Sequence, residues 1–357
     1  EGAGSRAQAN LPAADIPNMG FAHAADINVL LVGDIDRGGV IAQLVGSHTV
    51  LPPEDRDRIK GFVINKFRGD ITLFDDGLSA ITRHTGWRSL GVVPWFGDAW
   101  RLPGEDVMDV ASRPGGALKI AVPRLARIAN FDDLDPLAGE PGVSLEIIEP
   151  GRALPGDAQL VLIPGSKTTI ADLADFRANG WDIDLRAHRR RGGHIIGICG
   201  GYQMLGCEIA DPQGLEGTPG TVPGLGLLDV STVMHTQKRL VRLEGKELAT
   251  GAPVAGYEIH IGDTTGADTS RPWLHIDGRD VGAASADGRV RGCYLHGLFA
   301  SDRFRRGFLS ALGGPVADHG YDDGIEAVLD SLASHLERSL DLDGVLDLAT
   351  EPGHGAR

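Results

Sequence analysis

The stretch His194-Ile-Ile-Gly-Ile-Cys199-Gly-Gly-Tyr-Gln203-Met-Leu205 decides how the rest of the chain is read. His194 to Ile198 is a mostly apolar run suited to a buried parallel strand. It runs into Gly197-Ile-Cys199-Gly-Gly201, after which a helix can start at once. In this strand–turn–helix pattern a nucleophile sits between small residues on a tight turn. The glycines are needed because such a turn is strained and leaves no room for neighbouring side chains. The helix N-terminus offers backbone N–H groups and a positive dipole end, which favour a thiolate and an oxyanion. A lone cysteine is ordinarily a packed core residue, but the glycines and the strand context favour a nucleophile at Cys199.

Other strands fall into place around this one. Leu118 to Val122, Ser144 to Ile148 and Gln159 to Ile163 are short apolar runs separated by helical or polar segments, which implies a parallel sheet. Earlier in the chain, Ile27 to Val32, Gly61 to Ile64 and Ser89 to Val93 form a second series, with helical stretches at about 39–46 and 75–85. The expected fold is therefore α/β, with two doubly wound parallel-sheet domains. Residues 101–116 are rich in Pro, Gly and acidic side chains, so the boundary is expected near residue 113. This gives domains over 1–112 and 113–345 and a disordered tail over 346–357. Residues 208–224 read as a Gly- and Pro-rich loop, 227–260 and 281–296 as β-rich, and Ile325 to Leu340 as a helix packed on a sheet.

Bulk properties exclude several classes. The chain of 357 residues carries a net charge of −15, which disfavours nucleic acid. The one basic run, His188 to Arg191, reads as a helix C-terminus with cations against the dipole. No apolar run is long enough to span a membrane. Three cysteines, Cys199, Cys207 and Cys293, without CxxC spacing form neither a disulfide framework nor a zinc site, and point to a reducing cytoplasm. Cys207 and Cys293 are expected in the core.

A thiol nucleophile needs a base. Among 12 histidines, His296 in Gly292-Cys-Tyr-Leu-His296-Gly-Leu-Phe299 ends a short apolar strand before a glycine, where it can project from the sheet's end. With Cys199 and His296 in hand, the second half resembles the class I glutamine amidotransferase domain, whose fold is flavodoxin-like. The resemblance implies a γ-glutamyl thioester on Cys199 with His296 shuttling protons. It also implies that Gln203 helps to hold substrate glutamine, and that backbone N–H groups of Gly165 (in Leu162-Ile-Pro-Gly-Ser166) and Gly200 form the oxyanion hole. Most members carry Glu two residues after the histidine, where this chain has Leu298. A subgroup works as a Cys–His dyad, and Glu258 is a candidate substitute for the carboxylate.

The first half carries Glu1-Gly-Ala-Gly-Ser5, Asp15-Ile-Pro-Asn-Met-Gly-Phe-Ala22, Gly33-Asp-Ile-Asp-Arg-Gly-Gly39 and Asn65-Lys-Phe-Arg-Gly-Asp70. Asp34, Asp36 and Arg37, and likewise Asn65 and Lys66, fall at strand ends, where parallel sheets bind ligands. Carboxylates there can hold Mg²⁺, and Arg beside glycines can meet phosphate or carboxylate. These strings, with Gly256-Tyr-Glu-Ile-His-Ile-Gly262, resemble the dethiobiotin synthetase-like ATP domain and most closely the cobyric acid synthase family. The resemblance implies ATP and Mg²⁺ as co-substrates, with Glu1 and Asp34 as Mg²⁺ ligands, and no bound prosthetic group or structural metal. It implies that ammonia displaces phosphate from an activated corrin carboxylate, amidating the b, d, e and g positions of adenosylcobyrinic acid a,c-diamide. Tyr257, Glu258 and His260 read as lining the ammonia route or substrate face, or equally as a plain edge strand. No G-x-x-x-x-G-K-[ST] loop occurs, so the ATP site is expected to be incomplete here and the chain to be an N-terminally truncated piece. Expected partners are glutamine, the corrin and the missing N-terminal segment, with no nucleic acid or membrane; a homo-oligomer is compatible with the sequence. Cobyrinic acid a,c-diamide synthase, a cell-wall amidotransferase and a non-catalytic scaffold akin to partitioning ATPases remain as alternatives.

Overall fold

The computed structural model describes residues 19–104, 111–236, 239–315 and 320–349. Two compact units emerge, one comprising Glu1–Ala99 and Ala327–Arg357, the other Trp100–Glu326. Glu1 and the 1–5 and 15–18 portions of the quoted strings lie outside the described residues, as does the end of the tail from residue 350.

The first unit holds a parallel three-stranded sheet in the order Val29–Asp34, Ile59–Phe67, Arg88–Pro94. The helices Val40–Val50 and Asp75–Thr85 sit in the crossovers, so each strand returns in the same direction. Register pairs Asp34 with Asn65, which sets the two motif strings side by side at the carboxyl end of the sheet. Val40, Leu44, Phe62, Ile64 and Ile81 pack the core between sheet and helices. The other face, at Val63, Leu90 and Val93, is covered by Leu336, Leu340, Val345 and Leu348. From Ala327 the C-terminal helical stretch thus belongs to the first unit, whereas the sequence places it in the second domain through residue 345. Its apolar spacing reveals that it packs on a sheet, but local periodicity does not say which.

The second unit is built on a six-stranded sheet in the order Ala283–Ala284, Val290–Cys293, His194–Ile198, Leu160–Ile163, Leu118–Pro123, Val143–Ile148. All neighbours are parallel except the Ala283–Ala284 edge. Its central strands are buried along most of their length, as their largely apolar sequences require. A separate antiparallel sheet contains Arg239–Glu247, Pro253–His260 and Leu295–His296, and brings the histidine beside the 253–260 strand. The expected loop over 208–224 contains two short strands, Glu208–Asp211 and Gly220–Pro223, paired antiparallel. Gly and Pro mark the turn between them, and the strands themselves are too short for a clear alternation.

Candidate active site

The elbow forms as its glycines demand. Cys199 ends the His194–Ile198 strand with φ 52 and ψ −111, a conformation that costs a residue with a side chain about 1–3 kcal/mol. The Gly200–Leu205 helix starts immediately. A Cβ on Gly201 would lie 2.1 Å from the Ile163 carbonyl oxygen, and one on Gly197 would lie 2.5 Å from that of Gly201. The chain can therefore fold back this tightly only with glycine at both places.

His296 is fully buried and lies in the short strand Leu295–His296. Its Nδ1 is 2.7 Å from Oδ2 of Asp133, and the Gly297 N–H donates to Oδ1 of the same carboxylate at 2.6 Å. Asp133 is itself buried, in a 3₁₀ turn over Phe131–Leu134. Among the described residues no group hydrogen-bonds His296 Nε2, while Cys199 is near enough to act on the ring. Burial alone would lower the imidazole's proton affinity. The Asp133 bond and the proximity of Cys199 outweigh it and push the pKa up to about 10. A buried thiol, an imidazole beside it and a carboxylate on the far nitrogen have the arrangement of a Cys–His–Asp constellation.

This corrects the expectation of a bare dyad. Leu298, in the position usually held by Glu, is buried in the core. Glu258 does not orient His296; its Oε1 lies 3.2 Å from Nδ1 of His260. Asp133 was missed because it lies 163 positions from its partner. The one available signal was an Asp pair shortly after the carboxyl end of the Leu118–Pro123 strand.

The remaining expected residues of this half cluster here. Gly165 pairs with Ala129, and a Cβ on it would come within 3.2 Å of His296 Cε1. Gly200 lies against Ser166 and Thr169. Gln203 is buried; its Oε1 accepts from Thr169 Oγ1 at 3.1 Å, and its Nε2 donates to the Ile261 carbonyl at 3.0 Å and to Tyr294 Oη at 3.2 Å. The Cys199 thiol donates to the Ile259 carbonyl at 3.5 Å. Cys293 is buried, and desolvation raises its thiol pKa to about 12, which suits an inert core residue. Cys207 is exposed, against expectation, because the helix ends at Leu205 and the chain has already turned away.

In the first unit, Lys66 Nζ donates to Asp34 Oδ2 at 2.9 Å, and Arg68 Nε donates to Asp36 Oδ1 at 2.7 Å. The Lys66 bond holds the Asp34 carboxyl below its usual range. Arg37 is largely exposed, 4.0 Å from Asp34, and Asn65 Oδ1 accepts from the Lys66 N–H at 2.8 Å. The Arg68 guanidinium also stacks over Trp95 at 3.6 Å. Lys66 and Arg68 are thus each paired with a carboxylate of the Asp34–Asp36 string, and Arg37 stands beside them. Among the described residues no group of three His, Cys, Asp or Glu side chains could hold a metal ion.

Residues 119–304 match the CobB/CobQ-like glutamine amidotransferase domain. The chain is 64% identical over 349 residues to cobyric acid synthase of a Ruegeria species, spanning 98% of this chain and 72% of that protein. It is 59% identical to cobyric acid synthase of Rhodobacter capsulatus and 58% identical to that of Cereibacter sphaeroides, each match covering 98% of this chain and 73% of the relative. The chain belongs to the cobyric acid synthase family. Its second unit is a glutamine amidotransferase domain, and the α/β fold with parallel sheets is the one expected. Among the described residues no helix is long and apolar enough to cross a membrane.

Proposed function

We infer that this chain catalyses glutamine-dependent amidation in cobalamin biosynthesis, as an ATP-dependent ligase whose amide donor is glutamine. The observation that carries the glutaminase half is the arrangement around His296. Its Nδ1 is tied to buried Asp133, and its unbonded Nε2 is left for Cys199. In this reading the Cys199 proton already resides on His296, the thiolate attacks the side-chain amide of glutamine, and the imidazolium gives that proton to the leaving ammonia. Gly165 and Gly200 N–H groups hold the oxyanion, and water then releases glutamate. Gln203, already bonded to the Ile261 carbonyl, helps to shape the glutamine pocket.

The ammonia is used in the ATP-dependent half, on the peripheral b, d, e and g carboxylates of adenosylcobyrinic acid a,c-diamide. Lys66 and Arg37 suit the phosphates of ATP, and Asn65 a base or ribose. For Mg²⁺ the described residues of this string offer Asp34 and Asp36, both already paired with cations, so no step is assigned to a metal. A reducing cytoplasm suits a free nucleophilic thiol.

The test is amide-donor dependence in the intact enzyme. Cys199→Ala abolishes glutamine-dependent amidation and leaves ammonia-dependent amidation of the a,c-diamide at the parental rate. Glutamine-dependent turnover by Cys199→Ala overturns the nucleophile. Turnover of cobyrinic acid in place of its a,c-diamide overturns the substrate.

A further inference from the structure

The Gly256–Gly262 segment was singled out by its sequence, and the chemistry above gives no role to its tyrosine. Tyr257 stands directly opposite His296 in the antiparallel pairing of Pro253–His260 with Leu295–His296. Directly opposed residues of an antiparallel pair project to the same face. Here the two rings lie nearly parallel, with centroids 5.3 Å apart and an interplanar angle of 21°. The close approach depends on Gly256, since a Cβ there would lie 1.9 Å from the His296 carbonyl oxygen.

The far end of the tyrosine is fixed as well. Its hydroxyl accepts from Asn130 Nδ2 at 2.8 Å and donates to Asp132 Oδ2 at 3.2 Å. Burial raises the proton affinity of both the phenol and the Asp132 carboxyl, so the phenol stays protonated and the contact neutral in charge on its side. Asn130, Asp132 and Asp133 belong to one short segment. That segment therefore holds His296 at its edge through Asp133 and supports the ring against its face through Tyr257.

The two supports do different jobs. A single bond at Nδ1 sets the direction of the imidazole but leaves it free to tilt about the Nδ1···O axis. An aromatic face against it removes that tilt, and its negative quadrupole favours the protonated ring. We propose that Tyr257 is a positioning residue for the glutaminase reaction, clamping the face of His296 so that Nε2 stays aimed at Cys199 and the imidazolium is stabilised when the thiol gives up its proton. This rests on the reading of Cys199 and His296 as nucleophile and base.

The intact enzyme is assayed for glutaminase kcat and KM across pH 6–10, with Tyr257→Phe, Tyr257→Leu and Tyr257→Met. Aromatic pairing of this kind supports a fall in kcat of roughly 3- to 10-fold for Leu and Met, with KM for glutamine within about twofold. Loss of the face makes the imidazolium easier to deprotonate, so the alkaline limb of the kcat profile moves to lower pH in both. Tyr257→Phe keeps the face and restores parental kcat to within about threefold, with the limb in place. Met serves if Leu fails to fold. Parental kcat and limb in the folded Leu or Met variant overturn the proposal. So does Phe as impaired as Leu, which would assign the effect to the hydroxyl bonds alone. Failure of the underlying reading is distinct: it shows as glutamine hydrolysis by Cys199→Ala.

Discussion

Replacing Asp133 by Asn tests the constellation at the point where the structure departs from a dyad. The exchange keeps shape and volume but removes the charge. Asp133 accepts two short bonds, from His296 Nδ1 at 2.7 Å and from the Gly297 N–H at 2.6 Å, and is 1% exposed. An asparagine has one carbonyl oxygen, so it can accept one of these and must turn its NH₂ toward the other donor. The loss is one charge-assisted hydrogen bond, together with the charge that stabilises the imidazolium formed in the reaction, together about 2–3 kcal/mol. At 1.36 kcal/mol per tenfold, kcat for glutamine hydrolysis falls roughly 30- to 150-fold. KM for glutamine changes little, because Asp133 bonds the nitrogen away from Cys199. Ammonia-dependent amidation is unaffected and serves as the internal control for folding. In the parent, Asp133 and Cys199 hold the His296 pKa up to about 10. Without the carboxylate it falls, so the alkaline limb of the kcat profile moves down. Asp133→Asn with kcat within threefold of the parent and an unmoved limb would refute the orienting role and return the site to a dyad.

The elbow predicts that Gly201→Ala, whose Cβ would meet the Ile163 carbonyl at 2.1 Å, lowers the thermal midpoint and abolishes labelling of Cys199 by a glutamine-analogue electrophile. Arg305 is 2% exposed and bonds Glu140 at 2.7 Å and the Phe299 carbonyl at 2.8 Å, so Arg305→Met breaks a buried ion pair by removing its cation. Urea denaturation should read a loss of about 3–5 kcal/mol. Stability also carries the signature of His296. Its folded pKa, about 10, lies above the ordinary value of 6.5, so its contribution is complete below about pH 6.5 and is lost as pH rises through 10. The thermal midpoint of the parent declines across that window, and the decline flattens in Asp133→Asn.

What was legible in the sequence was what local chemistry enforces. The elbow could be read because a strained turn admits few residues but glycine around its nucleophile, and His296 because a strand-end histidine before glycine has somewhere to project. The first-unit strings were legible for the same reason, since the parallel register sets Asp34 beside Asn65 once both lie at strand ends. Asp133 was not legible. Its partnership with His296 is created by a short segment after one strand meeting the end of another, with no periodicity to announce it. The destination of the C-terminal helices was hidden for a related reason: an amphipathic pattern reveals that a face is buried but not the surface that buries it. The exposure of Cys207 follows from where a six-residue helix stops, and helix ends are the least determined by propensity.

The exchange of the usual carboxylate for Asp133 has a structural logic. A glutamate two residues after the histidine orients the ring from its own segment. Here Gly297 takes φ 78 and turns the chain so that Leu298 enters the core. A side chain at 298 is thereby committed to packing and cannot return to His296. The same turn presents the Gly297 N–H to the carboxylate that receives Nδ1–H, so Asp133 fixes both the ring and the bend that carries Leu298 away. Dependence on a remote segment follows. Asp132 in that segment anchors Tyr257, and Asp135, whose carboxyl burial raises to about 6, accepts from the Gly104 N–H at 3.4 Å. A rearrangement of residues 130–135 would therefore reach His296 at its edge and at its face together.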